Sequence, residues 1–297
     1  MRWQSPFALP GNWYRGNLHT HTTQSDGRRS PEDAIAWYRE QGYDFLALSD
    51  HWVLTPGRAV SQGFITLTAT ELNGEGYHLL VAGLAELPPR ALEHRPQAVI
   101  DHVKAQGALA YIAHPYWTGR PSGEIAALRG LDGMEVYNSV CEISKGTGHA
   151  RVHWDDCLST GRRLTGLAVD DTHWGLGEAG GGYIMVRAQE LTEQALLAAL
   201  HGGHFYASAG PVIQDLRVQI GEAGEPVLDL VCSPCAEIVF YTCGPRGRRI
   251  AAEPGASLTR GSLPLQREQV FVRVECRDAQ GRCAWTNPVY LEDVLGE

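Results

Sequence analysis

The stretch Phe45-Leu46-Ala47-Leu48-Ser49-Asp50-His51 runs from an apolar segment straight into a carboxylate and an imidazole. Residues 45–49 suit a buried strand, and the polar pair sits at its C-terminal end. The arrangement recurs. Thr66 to Thr70 ends in Glu71, Leu109 to Ala113 ends in His114-Pro115, and Leu167-Ala168-Val169 ends in Asp170-Asp171-Thr172-His173. Trp13 to Thr22, a predicted first strand, closes on His19 and His21, while His78 opens Leu79 to Ala82. Five of these six strands therefore finish in a potential metal ligand. In a parallel barrel all strand C-termini open on one mouth, where functional side chains gather.

The surrounding pattern agrees. Further apolar runs at Phe64–Leu72, Gly133–Tyr137, Leu164–Val169 and Tyr183–Val186 alternate with amphipathic segments. In the first of these, Ser30 suits an N-cap, Pro31 the N1 position, Glu32 and Asp33 the first turn, and Gly42 the stop. Helices are also predicted over Gln97–Gln106, Ser122–Leu128, Gly148–Ser159 and Thr192–His201. This alternation implies an α/β fold with parallel strands, in a doubly wound sheet or a closed barrel. After Ser208-Ala209-Gly210-Pro211 the character changes to short strands and Gly/Pro turns, including Val212–Ile220, Ile238–Tyr241, Val270–Glu275 and Val289–Leu291. Two parts are expected: an α/β domain over 1–208, and an antiparallel β-sandwich-like domain over 209–297 packed against it.

The 297 residues allow one large barrel or two ordinary domains, and 43% hydrophobic with 20% charged residues excludes a disordered chain. A formal charge of -9 argues against a non-specific polyanion binder. No apolar run approaches the roughly 20 residues that span a bilayer. Met1 to Pro6 lacks a signal-type hydrophobic core, so a cytoplasmic protein is expected. The seven cysteines show no disulfide framework. Cys232 and Cys235 form a CxxC without a second pair at zinc-ribbon spacing, which reads as reduced, packed thiols.

His19 and His21, two apart on a strand, point to the same face. Together with Asp26, His51, Glu71, His78, His114, Asp171 and His173 they give nine candidate ligands. Asp171 is preferred to Asp170, which stays as the fallback, because Asp171 shares a face with His173 by the period of two. One four-coordinate ion needs about four ligands, so the supply points to two or three divalent ions. A mixed imidazole and carboxylate set without thiolate suits Mn2+, Fe2+ or Zn2+. Asp50 reads either as an acid for a leaving group or as an orienting residue for His51; His51 and His173 are the other catalytic candidates. Arg120, Lys145 and Arg151 are candidates for phosphate binding, Asn138 for a substrate contact, and Asn138 and Glu135 for positions facing the metals. His149 and His153 are spaced i, i+4 on a predicted helix, and the remaining histidines read as structural. Trp285 and Tyr290 are expected in the core.

The set His19-Thr20-His21 with Asp26, Ser49-Asp50-His51, Glu71, His78, Ala113-His114-Pro115 and Asp171-Thr172-His173 resembles the motifs of the PHP (polymerase and histidinol phosphatase) domain. Gly203 to Ile213, "GHFYASAGPVI", and the β-rich tail are similar to the CehA/McbA-like branch of PHP metallohydrolases. The resemblance implies a distorted (β/α)7 TIM-like barrel with a di- or trinuclear metal centre. It further implies one ion on His19, His21, Glu71 and Asp171, a second sharing Glu71 with His78 and His114, and a third on Asp26, His51 and His173. Ser49 departs slightly, standing where Thr is usual. The implied chemistry is hydrolysis of small phosphate esters or nucleotides. Carbamate or carboxylic-ester hydrolysis, 3'-5' exonuclease action and a non-catalytic binding role are the alternatives; the acidic charge makes nucleic acid the less favoured partner.

Overall fold

A computed structural model describes residues 3–222 and 224–296; Met1 and Arg2 of the leader reading lie outside them. The first helix forms over Pro31–Glu40 as its local signals require: the Ser30 side chain accepts from Asp33 N, and Gly42, at φ +73°, ends it. Helices also form at Pro96–Ala105, Ser122–Ala127, Arg151–Ser159 and Glu193–His201.

Two runs of parallel strands frame the α/β part. In one, Asn12–Asn17 pairs with Phe45–Ala47, and that strand with Phe64–Leu67. In the other, Leu109–Ile112 pairs with Gly133–Asn138, and that strand with Thr165–Val169. Two seams join the runs. Glu71 N donates to Asp50 O and Trp52 N to Glu71 O, at 3.3 and 2.9 Å; Asp171 N donates to His19 O and His21 N to Thr172 O, at 2.9 and 3.0 Å. Around this ring the residues that follow the strands collect on one side.

The pairing is not parallel throughout, contrary to the expectation from alternation. The apolar run at 64–72 breaks at Thr68 into Phe64–Leu67 and Ala69–Gly74, which lie in different sheets. Ala69–Gly74 then pairs antiparallel with Tyr77–Ala82, because the Glu75-Gly76 link is too short for a crossover. Tyr77–Ala82 also runs antiparallel to Leu109–Ile112, and Tyr183–Ala188 antiparallel to Asn12–Asn17.

Strand pairing continues past position 208. Phe205–Ser208 pairs with Cys283–Thr286, and through it the sheet extends to Phe271–Arg277, Glu237–Thr242 and Arg248–Ala251. A separate three-stranded sheet of Ile213–Ile220, Pro226–Cys235 and Leu258–Pro264 shares an apolar cluster with it that includes Leu228, Leu230, Phe240, Val272 and Val274. Trp285 is buried, as expected, in the main core. No helix among the described residues is long and apolar enough to cross a membrane.

Charged side chains tie the late strands to the earlier helix. The buried Arg273 guanidinium reaches both Asp155 carboxylate oxygens at 2.6 Å, and Arg151 donates to buried Glu275 at 2.6 Å. Removing Asp155 strands a buried cation, and breaking such pairs is costly even where one partner is partly solvated. Asp155→Ala is expected to lower stability by about 2 kcal/mol or more. A urea-unfolding midpoint equal to that of the parent chain would show that the pair does not fasten the two parts.

Candidate metal centre

Thr20 and Thr172 form an isolated parallel bridge at the second seam. The flanking residues His19 and His21 on one chain, and Asp171 and His173 on the other, are thereby brought to the same place. His19 Nε2 lies 3.1 Å from both Glu71 Oε2 and Asp171 Oδ1, and His21 Nε2 lies 3.2 and 3.0 Å from the same two atoms. The two imidazole nitrogens are 3.1 Å apart. All four side chains are buried.

Hydrogen bonds on the far side set how these rings point. His19 Nδ1 donates to Glu135 Oε1 at 2.5 Å, which leaves a lone pair on Nε2 facing the carboxylates. Glu71 Oε2 and Asp171 Oδ1 accept no hydrogen bond from the described residues. A lone-pair nitrogen among buried anionic oxygens is repulsive unless a cation or protons share the space. The edges of a tetrahedral site with ligands near 2.05 Å are about 3.3 Å, close to the spacings found. The donor set therefore fits a divalent ion.

Two further groups adjoin the first. His78 Nδ1 and His114 Nε2 approach Glu71 Oε1 at 2.7 and 3.2 Å, while His51 Nδ1 lies 3.1 Å from Glu71 Oε2. Beyond them, Asp26 lies 3.6 Å from His51 Nε2, 3.3 Å from His173 Nε2 and 3.3 Å from His21 Nδ1. His173 Nδ1 donates to the Asp171 carbonyl at 2.9 Å, so its Nε2 also presents a lone pair to a carboxylate. All nine candidate ligands thus belong to one continuous assembly.

Around it stands a layer of fully engaged acids. Glu135 Oε2 accepts from His114 N at 2.7 Å and from Asn138 Nδ2 at 2.9 Å. Asp50 accepts from Thr22 N, Thr22 Oγ1 and Ser25 Oγ at 2.6 to 2.7 Å, and so holds the His21–Asp26 loop. Glu178 takes backbone N–H donors from His173, Gly175 and Leu176, which outweigh its burial and hold it down to about 2. Asp170, pushed up to about 6 by burial, binds Tyr38 and the Gly180 and Gly182 amides. A Cβ at Gly182 would fall 2.5 Å from Val169 O, so the loop approaches closely only as glycine. His114 at φ 27° and Asp171 at φ 52° are strained backbones held by these contacts.

Several sequence expectations are displaced. Asp50 is saturated by the loop and does not line the open side of the assembly. Arg120 donates to Gly76 O and pairs with Glu124, and Arg151 is spent on Glu275; neither borders the cavity over the ligands. Asn138 does face the candidate ligands, bridging Glu135 and Asp171 and capping the helix that starts at Ser139, but it is buried and does not line the cavity where a substrate would sit. His149 precedes the Arg151–Ser159 helix and pairs with Tyr137, which breaks the expected i, i+4 histidine face. Lys145, Ser144 and Trp117 do border the cavity, of about 320 Å³. Trp117 and the loop-forming Glu178 went unread in the sequence; only the glycines after Glu178 hinted at a tight loop. A larger cavity of about 490 Å³, near Trp3 and Tyr290, is lined by Asp132, His201 and His204, but among the described residues no group of three such side chains converges along it.

The electrostatics are mutual. Burial pulls the His21 imidazole down, but the Asp171 and Glu71 carboxylates outweigh it and raise it to about 9. Burial would push Glu71 and Asp171 up; the histidines hold both well below the usual carboxylate range. A proton on His21 in the ion-free protein thus stabilises the fold fully below the unfolded value of 6.5, and that contribution is lost as pH rises through about 9. Chelator-treated protein is expected to lose thermal stability across this window, and His21→Gln to flatten the slope. A divalent ion should reverse the trend, since it binds the deprotonated ligands. Thermal midpoints that do not depend on pH with and without chelator would contradict this.

No family model and no curated protein matches the chain. Among solved structures, a two-domain protein from Bacteroides vulgatus containing a predicted PHP-like metal-dependent phosphoesterase matches with a TM-score of 0.52 at 14% identity, over 97% of this chain and 99% of that one. A candidate metal-dependent phosphoesterase from Bifidobacterium adolescentis (16% identity, TM-score 0.37) covers 55% of this chain and 91% of its own. An amidohydrolase from Chromobacterium violaceum with bound sulfate and no metal (15%, 0.37) covers 53% and 87%. Over nearly its whole length, the chain shares the fold of a two-domain protein with a PHP-like domain.

Proposed function

We propose that the chain is a metal-dependent hydrolase, most simply a phosphoesterase acting on small phosphate esters or nucleotides. The supporting observation is the convergence of His19, His21, Glu71 and Asp171, whose facing atoms stand 3.0 to 3.2 Å apart. In this reading residues 1–208 form the hydrolase domain, a distorted (β/α)7 barrel, and 209–297 a β-sandwich-like domain. These four residues hold one divalent ion; Glu71, His78 and His114, with His51 adjacent, offer a second site, and Asp26, His51 and His173 a third. Nitrogen and oxygen donors without thiolate suit Mn2+, Zn2+ or Fe2+. Clustered ions of this kind lower the pKa of bound water towards neutrality and stabilise charge on phosphoryl oxygens.

The protein's own groups supply the rest. Glu135 fixes the His19 tautomer and ring, and Asp50 sets the loop that carries Asp26. His51 and His173 stand on the open side, where whichever ring is not engaged by an ion can protonate a leaving oxygen. Lys145, exposed at the cavity, can meet a substrate anion, and Trp117 forms a wall. One observation favours a second reading, carbamate or carboxylic-ester hydrolysis: Lys145 is the only Lys or Arg among the described cavity-lining residues. A phosphate dianion would draw on the ions for most of its neutralisation.

The test is a screen of aryl phosphates, nucleotides, short oligonucleotides and aryl carbamates, with metal quantified in the same samples. Chelation should abolish turnover and divalent ions restore it. Asp171→Ala is expected to lower kcat by about 10³-fold or more, the loss of several kcal/mol of charge stabilisation. Full activity in metal-stripped protein would overturn the reading.

Glu135→Gln keeps the shape but weakens the hold on His19, and is expected to reduce metal affinity by about 10- to 100-fold. With saturating metal the KM should stay near that of the parent. A raised KM with unchanged metal affinity would make Glu135 a substrate contact instead.

A further inference from the structure

The Pro226–Cys235 strand turns Leu228, Leu230 and Cys232 into the apolar cluster, with the residues between them less buried. Regular alternation would send residue 234 inward next. Instead Pro234 is exposed and Cys235 is buried, because the register against Leu258–Pro264 shifts between Val231 and Cys235. Such an irregularity is how a strand re-aims a side chain. It brings two cysteines three positions apart onto one face, which an even pleat would not do. From the facing sheet comes Cys276, in phase with the inward residues Val272 and Val274.

The three Sγ atoms lie within 4.8 Å of one another, all three side chains are buried, and none is in a disulfide. Sulfurs around an ion with bonds near 2.3 Å stand about 3.8 Å apart, so the trio needs only a small contraction. Cys235 borders a cavity of about 310 Å³ shared with Ser233, Ser257, Asp278 and Gln280. Water from this cavity can complete the coordination of a four-coordinate ion.

We propose that Cys232, Cys235 and Cys276 form a second metal site, a three-thiolate set for one thiophilic cation such as Zn2+. The site is structural. It clasps the three-stranded sheet to the larger one and is independent of the imidazole–carboxylate centre. Binding releases one proton from each thiol that becomes a thiolate ligand, and no redox change is involved.

The test uses the full chain, reduced, stripped with chelator and titrated with Co2+. Thiolate ligands give a sulfur-to-cobalt charge-transfer band in the near ultraviolet, which nitrogen and oxygen ligands do not. The band is expected in the parent chain, in Asp171→Ala and in Cys243→Ser, Cys243 being a half-buried free cysteine outside the trio, and is expected to be lost in Cys276→Ser. Should Cys276→Ser not fold, alkylation of the parent chain reads the same point: Zn2+ should slow the modification of three thiols relative to the chelated chain. Absence of the band in folded parent protein, or a Cys232–Cys235 disulfide with no thiols protected by Zn2+, would refute the proposal.

Discussion

The centre depends on the two backbone seams where the strand runs meet. Asp171 N to His19 O and His21 N to Thr172 O fix the relative height of two chains that are far apart in sequence. Because side chains alternate along an extended chain, fixing that height fixes which ones converge. A slip of one residue by either segment would turn its own ligands away, putting Thr20 in place of His19 and His21, or Thr172 in place of Asp171. The other seam does the same for Glu71, whose two oxygens serve histidines on opposite sides. Glu71 is the one side chain common to the first two groups.

Holding so many like donors together costs energy, and the surrounding layer shows how that cost is met. Glu135, Asp50, Glu178 and Asp170 direct their oxygens at backbone amides and at neutral or imidazole donors around the ligands. These bonds keep strained backbones such as His114 and Asp171 in place before any ion arrives. Within the same layer, Asp50, next to His51 in sequence, bonds Thr22 and Ser25, and Asn138 bonds Glu135 and Asp171.

Much of this was legible in the chain. Strand-terminal His19, His21, His51, Glu71, His114 and Asp171 could be read because an apolar run and the polar residue after it are local features. The choice of Asp171 over Asp170 followed from alternation, and the structure places Asp171 at the cluster and Asp170 beneath it. Arg120 and Arg151 were not legible, because where a long cation points depends on acids such as Glu124 and Glu275 that folding brings to it. The break at Thr68 was hidden as well: an apolar run of nine residues carries no local mark of a change of sheet.

By itself, then, the sequence determined the chemistry of the donors, their places at strand ends, the first helix with its cap, and the change to β-structure after residue 208. These follow from short-range periodicity and turn chemistry. The tertiary structure alone decided which acids stand behind the histidines, that Lys145 rather than Arg120 or Arg151 borders the cavity, and that Cys276 meets the CxxC pair. Each of these needs segments distant along the chain to be held in one register, and register is set by pairing and packing over the whole fold.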